Sequence, residues 1–247
     1  MVARLTADIE GLARASRVVA RLLRELAAKA NPGVKTIELD QHAMGYLKKI
    51  GAEPIFNTEA GFPAAINTSV NDAVLHGVPN DHPLQPGDLL SIDAGLRLNG
   101  YVGDSAITVA IGEVTSQRTR LLAVARETME AGIAAAVAGN RVGDIGHAMQ
   151  RYAEERGYGV MRGFTGHGVG HQMHEWPSVP FVGEPGTGPR LVEGLVITIE
   201  PAIVEGSPDW HLDDDGWTVR TRDGGWGAQF EHTVIVGRER ARILTAA

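Results

Sequence analysis

The stretch Ser91–Thr108, SIDAGLRLNGYVGDSAIT, carries the local signals that decide the architecture of this chain. Asn99-Gly100 stands between two runs of alternating apolar and polar residues, which is the strongest short-range signal of a β-hairpin with a two-residue turn. Pairing the residues on either side of that turn puts Asp104 opposite Gly95. The sequence therefore predicts two long antiparallel strands in a fixed register.

Each arm of this hairpin carries one aspartate, Asp93 on the first strand and Asp104 on the second. The register puts both on one face as diagonal neighbours, whose Cα atoms lie about 7–8 Å apart, and Gly95 leaves room between them. Two buried carboxylates repel each other and need protons or a cation, so a divalent metal is a natural partner. The alternative is a hairpin with one solvated polar face, on which the two aspartates carry no chemistry.

The composition indicates a globular protein and excludes several classes of partner. With 247 residues, of which 43% are hydrophobic, the chain can bury a sizeable core. Its net charge of -7 argues against a nucleic-acid binder or a ligand of anionic membranes. It contains no cysteine, which excludes disulfides and thiolate metal sites. We find no signal-peptide block and no run of about 18 apolar residues, so we expect a soluble cytoplasmic protein without a membrane span.

The order of predicted elements is helix, helix, strands, and then the same again. Helical periodicity predicts helices over 8–30 and 36–49, with Thr36 as N-cap, then over 117–138 and from a cap at Asp144 to about 157, while 54–111 and the remainder are β-like. The words at Val34–Ile37 and Val142–Ile145 resemble each other, although chance similarity is an alternative. The order favours one α+β catalytic domain over 1–247, built of related halves at about 1–112 and 113–247.

Two later apolar runs each contain a single acidic residue. GLVITIEPAIV (Gly194–Val204) holds Glu200, and GAQFEHTVIV (Gly227–Val236) holds Glu231. A glutamate within an apolar strand costs free energy unless it is paired or bound to a metal. The alternative is a solvent-facing place on an edge strand, and Pro201 is compatible with an edge or a strand end after Glu200.

Histidines concentrate in GFTGHGVGHQMHE (Gly163–Glu175), which contains His167, His171 and His174. The i, i+4 spacing of the first two occurs in helical zinc motifs, but the intervening glycines argue against a helix. We therefore expect a loop whose backbone closely approaches another group, with a histidine-rich surface loop as the alternative. His76, in NDAVLHGVP, would by itself be interpreted as a turn histidine.

Together these residues form a set of four carboxylates and one imidazole, which suits hard or borderline divalent metals. Two ions with bridging carboxylates are an arrangement found in hydrolases. The chain has no G-x-S-x-G and no cysteine, so nothing in it indicates a nucleophilic triad.

Five residues resemble, in their order and spacing, the metal-ligand set of methionine aminopeptidases: Asp93, Asp104, His167, Glu200 and Glu231. Flanking words agree as well: NDAVLHGVP, GYVGDSA, GHGVGHQMHE, ITIEP and WTVRTRDGGWGAQFEHT. The resemblance covers essentially the whole chain and is to the short bacterial type I form. It implies the pseudo-twofold pita-bread fold of creatinases and aminopeptidases, an α+β fold with an antiparallel β-sheet core and outer helices.

The resemblance also implies a site for two divalent metal ions. Asp93 would hold one ion, His167 and Glu200 the other, and Asp104 and Glu231 would bridge them. Carboxylates and imidazole accept Co, Mn, Fe, Zn or Ni, so the sequence leaves the identity of the metal open.

The implied activity is hydrolysis of the first peptide bond, which removes the initiator methionine from nascent polypeptides. Three residues would be catalytic: His76 beside the substrate, His174 at the scissile amide, and Glu200 as proton shuttle between water and the leaving amine. His171 has no role in the family that can be carried over.

The resemblance implies a substrate pocket formed by apolar and aromatic side chains, which suit a thioether, together with the two histidines. Its members are Phe62, Asn67, His76, Phe164, Met173, His174 and Trp217. Met173 replaces the usual aromatic residue, and Asn67 stands where a smaller or sulfur-bearing residue is common. Ordinary core packing is the alternative for each of the pocket residues.

A prolidase or Xaa-Pro aminopeptidase is the nearest alternative, because these enzymes share the fold and the five ligands. They usually carry an additional amino-terminal domain, for which this chain has no room. A non-catalytic relative is the second alternative, but such proteins typically lose ligands that are all present here. The family is usually monomeric, and its partners are nascent chains with amino-terminal methionine. Such an enzyme would meet the ribosome transiently, although the acidic net charge does not support this contact.

Overall fold

The computed structural model describes residues 1–3, 5–59 and 61–246. The helices in these ranges are α1 (Thr6–Lys29), α2 (Thr36–Ile50), α3 (Ile55–Glu59), α4 (Ser116–Ala135) and α5 (Val142–Glu154). The four long helices are those that the sequence predicts, with ends that differ by up to three residues. The short α3 is new, because 54–111 carries mainly β-like patterns. In the part of the chain that is described, we find no helix long and apolar enough to span a bilayer.

The strands are short except for two. They are β1 (Glu53–Pro54), β2 (Ile66–Val70), β3 (Ala73–Leu75), β4 (Leu89–Leu98), β5 (Tyr101–Ala110), β6 (Gly159–Val160), β7 (Thr165–Gly168), β8 (Glu175–Pro180), β9 (Val196–Ile199), β10 (Ala202–Val204), β11 (Trp210–Leu212), β12 (Val219–Thr221), β13 (Gly227–Gln229), β14 (His232–Ile235) and β15 (Arg242–Ile243). The long pair β4 and β5 is the predicted hairpin.

The hairpin has the predicted turn and register. Asn99 and Gly100 have φ values of 51° and 81°, and positive φ at both central residues is the mark of the type I′ turn. Asp104 pairs with Gly95 across the strands, as predicted, and Asp93 pairs with Ala106. Both aspartates therefore lie on the same face of the sheet.

The strand pairs form small antiparallel sheets. One has the order β1-β4-β2 with β5 paired to β4, and the others have the orders β13-β10-β6, β11-β12-β3 and β15-β14-β9-β7-β8. α1 and α2 cover an apolar cluster with β4, while α4 and α5 cover a second cluster with β9 and β10. This arrangement confirms the predicted antiparallel core with outer helices.

The predicted N-cap at Thr36 is wrong by one residue. Lys35 occupies the N-cap position, and its N–H donates to a carboxylate oxygen of Glu38 at 2.9 Å. The Thr36 hydroxyl instead accepts from the Asn80 N–H at 2.8 Å, so it joins the helix start to a neighbouring loop. The Thr36 side chain, which local sequence assigned to capping, is thus used in a tertiary contact with Asn80.

The same capping arrangement occurs at the start of α5. Asp144 accepts from the Arg141 N–H at 2.7 Å, as Glu38 does from Lys35. The equivalent caps are 106 residues apart (141 minus 35), whereas the sequence words Val34–Ile37 and Val142–Ile145 are 108 apart. The two helix starts therefore correspond in structure with an offset of 106 residues, two fewer than the offset of the similar sequence segments.

Candidate active site

The site begins on the hairpin, where three carboxylates meet. Asp93 of β4, Asp104 of β5 and Glu231, between β13 and β14, each place one oxygen within 4.8 Å of the others. Asp104 and Glu231 are 2% and 3% exposed. The alternative of a solvated polar face thus does not describe this hairpin.

Buried hydroxyl groups hold Glu231 against the hairpin. Ser105 Oγ donates to the Glu231 carbonyl and Thr233 Oγ1 donates to the Asp104 carbonyl, both at 2.7 Å. The Glu231 N–H donates to the carbonyl of Ala106 at 2.9 Å. These bonds on both sides of Glu231 fix its backbone beside β5, so its side chain is directed to the aspartates.

His167 and Glu200 complete the cluster from the five-stranded sheet. Nε2 of His167 lies 3.5 Å from Asp104 Oδ2 and 3.6 Å from Glu200 Oε1. Nδ1 of His167 is 2.9 Å from the carbonyl of Gly168. A carbonyl can only accept, so Nδ1 carries the proton and the lone pair of Nε2 faces the carboxylates.

Thr198 is a site residue that the sequence does not reveal. Its Oγ1 donates to Glu200 Oε1 at 2.6 Å and accepts from the His167 N–H at 2.9 Å. Thr198 lies within the apolar run of β9, where a buried threonine is ordinary. Only the fold reveals that this hydroxyl orients two members of the cluster.

In the absence of a cation, the surroundings raise the pKa of all four carboxyl groups. Burial raises the pKa of Asp104 to about 7. Burial also raises the pKa of Glu200 to about 8; the hydrogen bond from Thr198 lowers this pKa, and the charge of Asp104 raises it. Burial, reinforced by neighbouring carboxylates, raises the pKa of Asp93 and of Glu231 well above the ordinary range. Clusters of this kind are frequent at functional sites.

The imidazole of His167 is neutral in the same surroundings. Burial, and then the proximity of His174, lower its pKa to about 4. Its contacts with Asp104 and Glu200 are therefore not ion pairs at neutral pH. A neutral imidazole with an inward lone pair is the form that ligates metals.

The donor set fits a divalent metal. Asp93 Oδ1 and Glu231 Oε1 are buried and have no hydrogen-bond partner among the residues that the structure describes. Buried carboxylate oxygens normally have partners, so these two atoms are available as ligands to a cation. Four carboxylates and one imidazole are ligands that first-row divalent ions accept.

A cavity of about 520 Å³ opens onto the cluster. The pocket residues predicted from the sequence all line it: Phe62, Asn67, His76, Phe164, Met173, His174 and Trp217. The rings of Phe62 and Trp217 meet edge to face with centroids 5.3 Å apart. Asn67 is the cross-strand partner of Asp93, which places its amide next to the acidic cluster.

Two further histidines face this cavity. The ring of His174 lies 4.4 Å from that of His167, and the ring of His76 lies 6.0 Å from that of Phe164, between centroids. His76 has a φ of 54°, a backbone conformation that is uncommon outside glycine. Burial lowers the pKa of His174. Burial also lowers the pKa of His76, and the proximity of His174 lowers it further. Both imidazoles are therefore neutral at physiological pH.

His171 lies apart from these residues. It is exposed, its Nδ1 is 2.7 Å from the Gly100 carbonyl, and its ring packs on Tyr101 at 4.8 Å. It is not among the residues that line the cavity. The i, i+4 pair with His167 consequently forms no joint metal site.

Several cavity residues lie outside the predicted set. They are Phe56, Leu75, Gly163, Thr165, Glu175, Trp176, Ser178 and Phe181. Glu175 accepts from the N–H groups of His171 and Gln172, at 2.9 and 3.1 Å, and pairs with the Met1 ammonium at 2.6 Å. Met1 and Glu175 are far apart in the sequence, so no local pattern predicts their contact.

The space at Gly95 is also used differently from the prediction. A Cβ built there would lie 2.7 Å from Phe56 Cε1 and 2.9 Å from Ile55 Cδ1. Gly95 therefore makes room for α3, which lies against this face of the hairpin. This contact was not predicted, because α3 itself was not predicted.

Comparisons with known proteins agree with this geometry. The model of metallopeptidase family M24 matches residues 10–238. A methionine aminopeptidase of Clostridium acetobutylicum is 44% identical over 239 residues, covering 96% of each chain. The crystal structure of methionine aminopeptidase from Rickettsia prowazekii superposes with a TM-score of 0.96 at 38% identity, covering 100% of both chains.

A prolidase from Pyrococcus furiosus is similar in fold alone. It has a TM-score of 0.81 at 24% identity, and the match covers 100% of this chain but 66% of the prolidase. The shared fold accounts for this similarity, because the identity is too low to carry an activity.

Proposed function

This chain belongs to metallopeptidase family M24, and from that premise we propose that it is a metal-dependent methionine aminopeptidase. It hydrolyses the first peptide bond of polypeptides that begin with methionine. The observation that carries this function is the meeting of Asp93, Asp104, His167, Glu200 and Glu231 at the cavity of about 520 Å³. The near full-length similarity to methionine aminopeptidases favours this activity over that of a prolidase.

We infer that the five residues would hold two divalent ions. When bound, such ions lower the pKa of the attacking water and polarise the scissile carbonyl. The two buried oxygens that lack partners among the described residues, Asp93 Oδ1 and Glu231 Oε1, support this assignment. Co, Mn, Fe, Zn and Ni all suit these ligands.

Glu200 is the residue that we assign to proton transfer. Its pKa of about 8 in the cation-free site shows how strongly its surroundings favour the protonated form, and positive charge nearby would favour the carboxylate. A carboxylate so poised takes a proton from water and gives it to the leaving amine. Thr198 holds one Glu200 oxygen at 2.6 Å, which leaves the other available for that transfer.

We assign His174 and His76 to contacts with the substrate, because both line the cavity. A neutral imidazole can donate a hydrogen bond to the scissile amide as charge develops on its oxygen, and this is the role we assign to His174. His76 faces the same cavity and would orient the substrate. The methionine side chain would lie against Phe62, Trp217 and Met173, since a thioether packs well on aromatic rings.

The remaining assignments follow from the activity. The substrates are nascent polypeptides, which places the enzyme in the cytoplasm and in transient reach of the ribosome. We propose that it acts as a monomer. We also propose that 1–112 and 113–247 are the two related halves of a single catalytic domain, since α2 and α5 begin with equivalent caps.

Release of methionine from Met-Ala-Ser tests the proposal against cleavage of Xaa-Pro peptides. The purified protein is assayed as isolated, after chelation, and after addition of Mn²⁺, Fe²⁺, Co²⁺ or Zn²⁺, with bound metal quantified in parallel. We expect activity on Met-Ala-Ser alone, loss on chelation and recovery with a stoichiometry of two ions. Preferential cleavage of Xaa-Pro peptides would favour the prolidase alternative, and full activity without metal would contradict the site.

A further inference from the structure

Trp176 stands at the mouth of the cavity with its ring largely in solvent. It is 67% exposed, yet it lines the cavity together with its neighbours His174, Glu175 and Ser178. Single exposed hydrophobic residues are normal on protein surfaces. Position distinguishes this one, because it adjoins the residues assigned to catalysis.

The strand that carries Trp176 is irregular at this point. Between β7 and β8, His167 pairs with Ser178 and Gly168 pairs with Glu175, so two residues of β8 have no counterpart on β7. Trp176 is one of these two. Bulges beside active sites commonly redirect a side chain, and Trp176 is largely exposed at this bulge.

The backbone of Trp176 is nevertheless held firmly. A Cβ at Gly168 would lie 2.3 Å from the Trp176 carbonyl oxygen, so the two main chains are in direct contact. By contrast, the indole N–H has no hydrogen-bond partner, and the ring has no ring contact, among the described residues. An exposed tryptophan on a fixed backbone suits ligand binding, because its side chain loses little conformational entropy when it is bound.

The occupant follows from the size of the cavity. About 520 Å³ accommodates a ligand of drug-like size, which is roughly that of two amino-acid residues. The rest of a polypeptide must therefore leave through the mouth. His174 is assigned to the scissile amide, and Trp176, two residues further along, is the cavity-lining residue with a largely exposed side chain, so we expect the chain beyond the cleaved bond to pass Trp176.

We propose that Trp176 binds the substrate residues that follow the scissile bond, and that it favours peptides with apolar or aromatic side chains at their third and fourth positions. The proposal rests on the aminopeptidase activity. Aromatic pairs add affinity beyond area burial, which is enough to change KM severalfold without altering the chemistry inside the cavity.

The test compares Met-Ala, Met-Ala-Gly-Gly-Ala and Met-Ala-Phe-Phe-Ala on wild type, Trp176→Ala, Trp176→Phe and Leu212→Ala. Leu212 is 51% exposed and does not line the cavity, so its variant is the matched control. In wild type we expect a lower KM for the phenylalanine pentapeptide than for the glycine pentapeptide. Trp176→Ala should reduce the ratio of the KM for the glycine pentapeptide to the KM for the phenylalanine pentapeptide about threefold to tenfold. Trp176→Phe should restore most of this ratio, and Leu212→Ala should keep it.

The outcomes separate this inference from the activity on which it rests. A wild type that cleaves all three peptides, with the same KM ratio in Trp176→Ala, would overturn the role of Trp176 alone. An equal rise of KM for all three peptides would do the same, since it would indicate general damage to the cavity. A wild type that cleaves none of them would overturn the proposed function as well.

Discussion

Thr198 and Glu200 are joined by a hydrogen bond of 2.6 Å, in which the threonine hydroxyl donates to Oε1 of the carboxylate. The same oxygen of Thr198 accepts from the backbone N–H of His167 at 2.9 Å. One hydroxyl thus orients a carboxylate and the strand that carries an imidazole, and both groups belong to the proposed metal site. Partners of this kind fix metal ligands in place.

Replacing Thr198 by valine should weaken metal binding while leaving the fold intact. Valine has nearly the same shape but lacks the hydroxyl, so Glu200 loses its orientation and the His167 N–H loses its acceptor. Comparable changes lower metal affinity about 10-fold to 100-fold. Isothermal titration of the metal-free protein with Mn²⁺ measures this directly.

Thr128→Val is the matched control for that experiment. Thr128 is fully buried in α4, and its hydroxyl donates to the carbonyl of Val124 at 2.7 Å, remote from the cluster. We expect its variant to bind Mn²⁺ like wild type. Equal affinities in Thr198→Val and Thr128→Val would contradict the orienting role of Thr198.

The metal-free protein should lose stability as the pH rises from 6.5 to 8.5. The pKa of Asp104 is about 7 and that of Glu200 about 8 in the folded state, both raised mainly by burial. In this window the folded protein binds more protons than the unfolded chain, so the free energy of unfolding falls by about 1.4 kcal/mol per pH unit for each proton of difference. Burial lowers the pKa of His167 and of His232 to about 4, so these groups oppose the trend near pH 6.5, where unfolded histidines are partly protonated, and their opposition fades as the pH rises to 8.5.

Thermal unfolding with chelator and with Mn²⁺ at pH 6.5, 7.5 and 8.5 measures this effect. Bound metal favours the charged carboxylates, so the difference between the two melting temperatures should widen with pH. For a chain of this size, 1 kcal/mol corresponds to about 2–4 °C. A melting temperature of the chelated protein that stays level or rises over this range would contradict the raised pKa values.

Glu200→Gln should lower kcat by orders of magnitude while the protein stays folded. Glutamine keeps the shape and can still accept from Thr198, but it cannot accept a proton from water. Steady-state hydrolysis of Met-Ala-Ser with bound metal quantified separates loss of turnover from loss of metal. Glu193→Gln, at an exposed position, is the control. Turnover near that of wild type in a metal-loaded Glu200→Gln enzyme would exclude Glu200 as the proton shuttle.

What the sequence predicts well is local. The Asn99-Gly100 turn fixes the register of β4 and β5, and with it the placement of Asp93 and Asp104 on one face, from a few adjacent residues. The four long helices follow from periodicity for the same reason. The meeting of these aspartates with His167, Glu200 and Glu231 needs the resemblance, because no local pattern brings distant strands together.

What the sequence does not predict depends on partners that are distant along the chain. Thr36 looks like a cap until Asn80 is placed beside it, and Thr198 looks like a core residue until Glu200 and His167 flank it. Trp176 reaches the cavity through a bulge that exists only when β7 and β8 are paired. In each case tertiary structure decides between roles that the residue type permits equally.

Gly95→Ala should disturb the cavity from the hairpin, because residue 95 faces the same side of the sheet as Asp93 and Asp104. The added methyl group would lie 2.7 Å from Phe56 Cε1, a distance at which the ring must move, and Phe56 lines the cavity. Overpacking of this kind costs about 1–3 kcal/mol. We expect a lower melting temperature together with a raised KM for Met-Ala-Ser, because α3 shifts toward the substrate. Gly45→Ala is the control, since nothing lies within 4 Å of its Cβ and alanine favours the helix. If Gly95→Ala matched wild type in both measurements, α3 would have room to move without affecting the cavity, and the contact with Gly95 would not position Phe56.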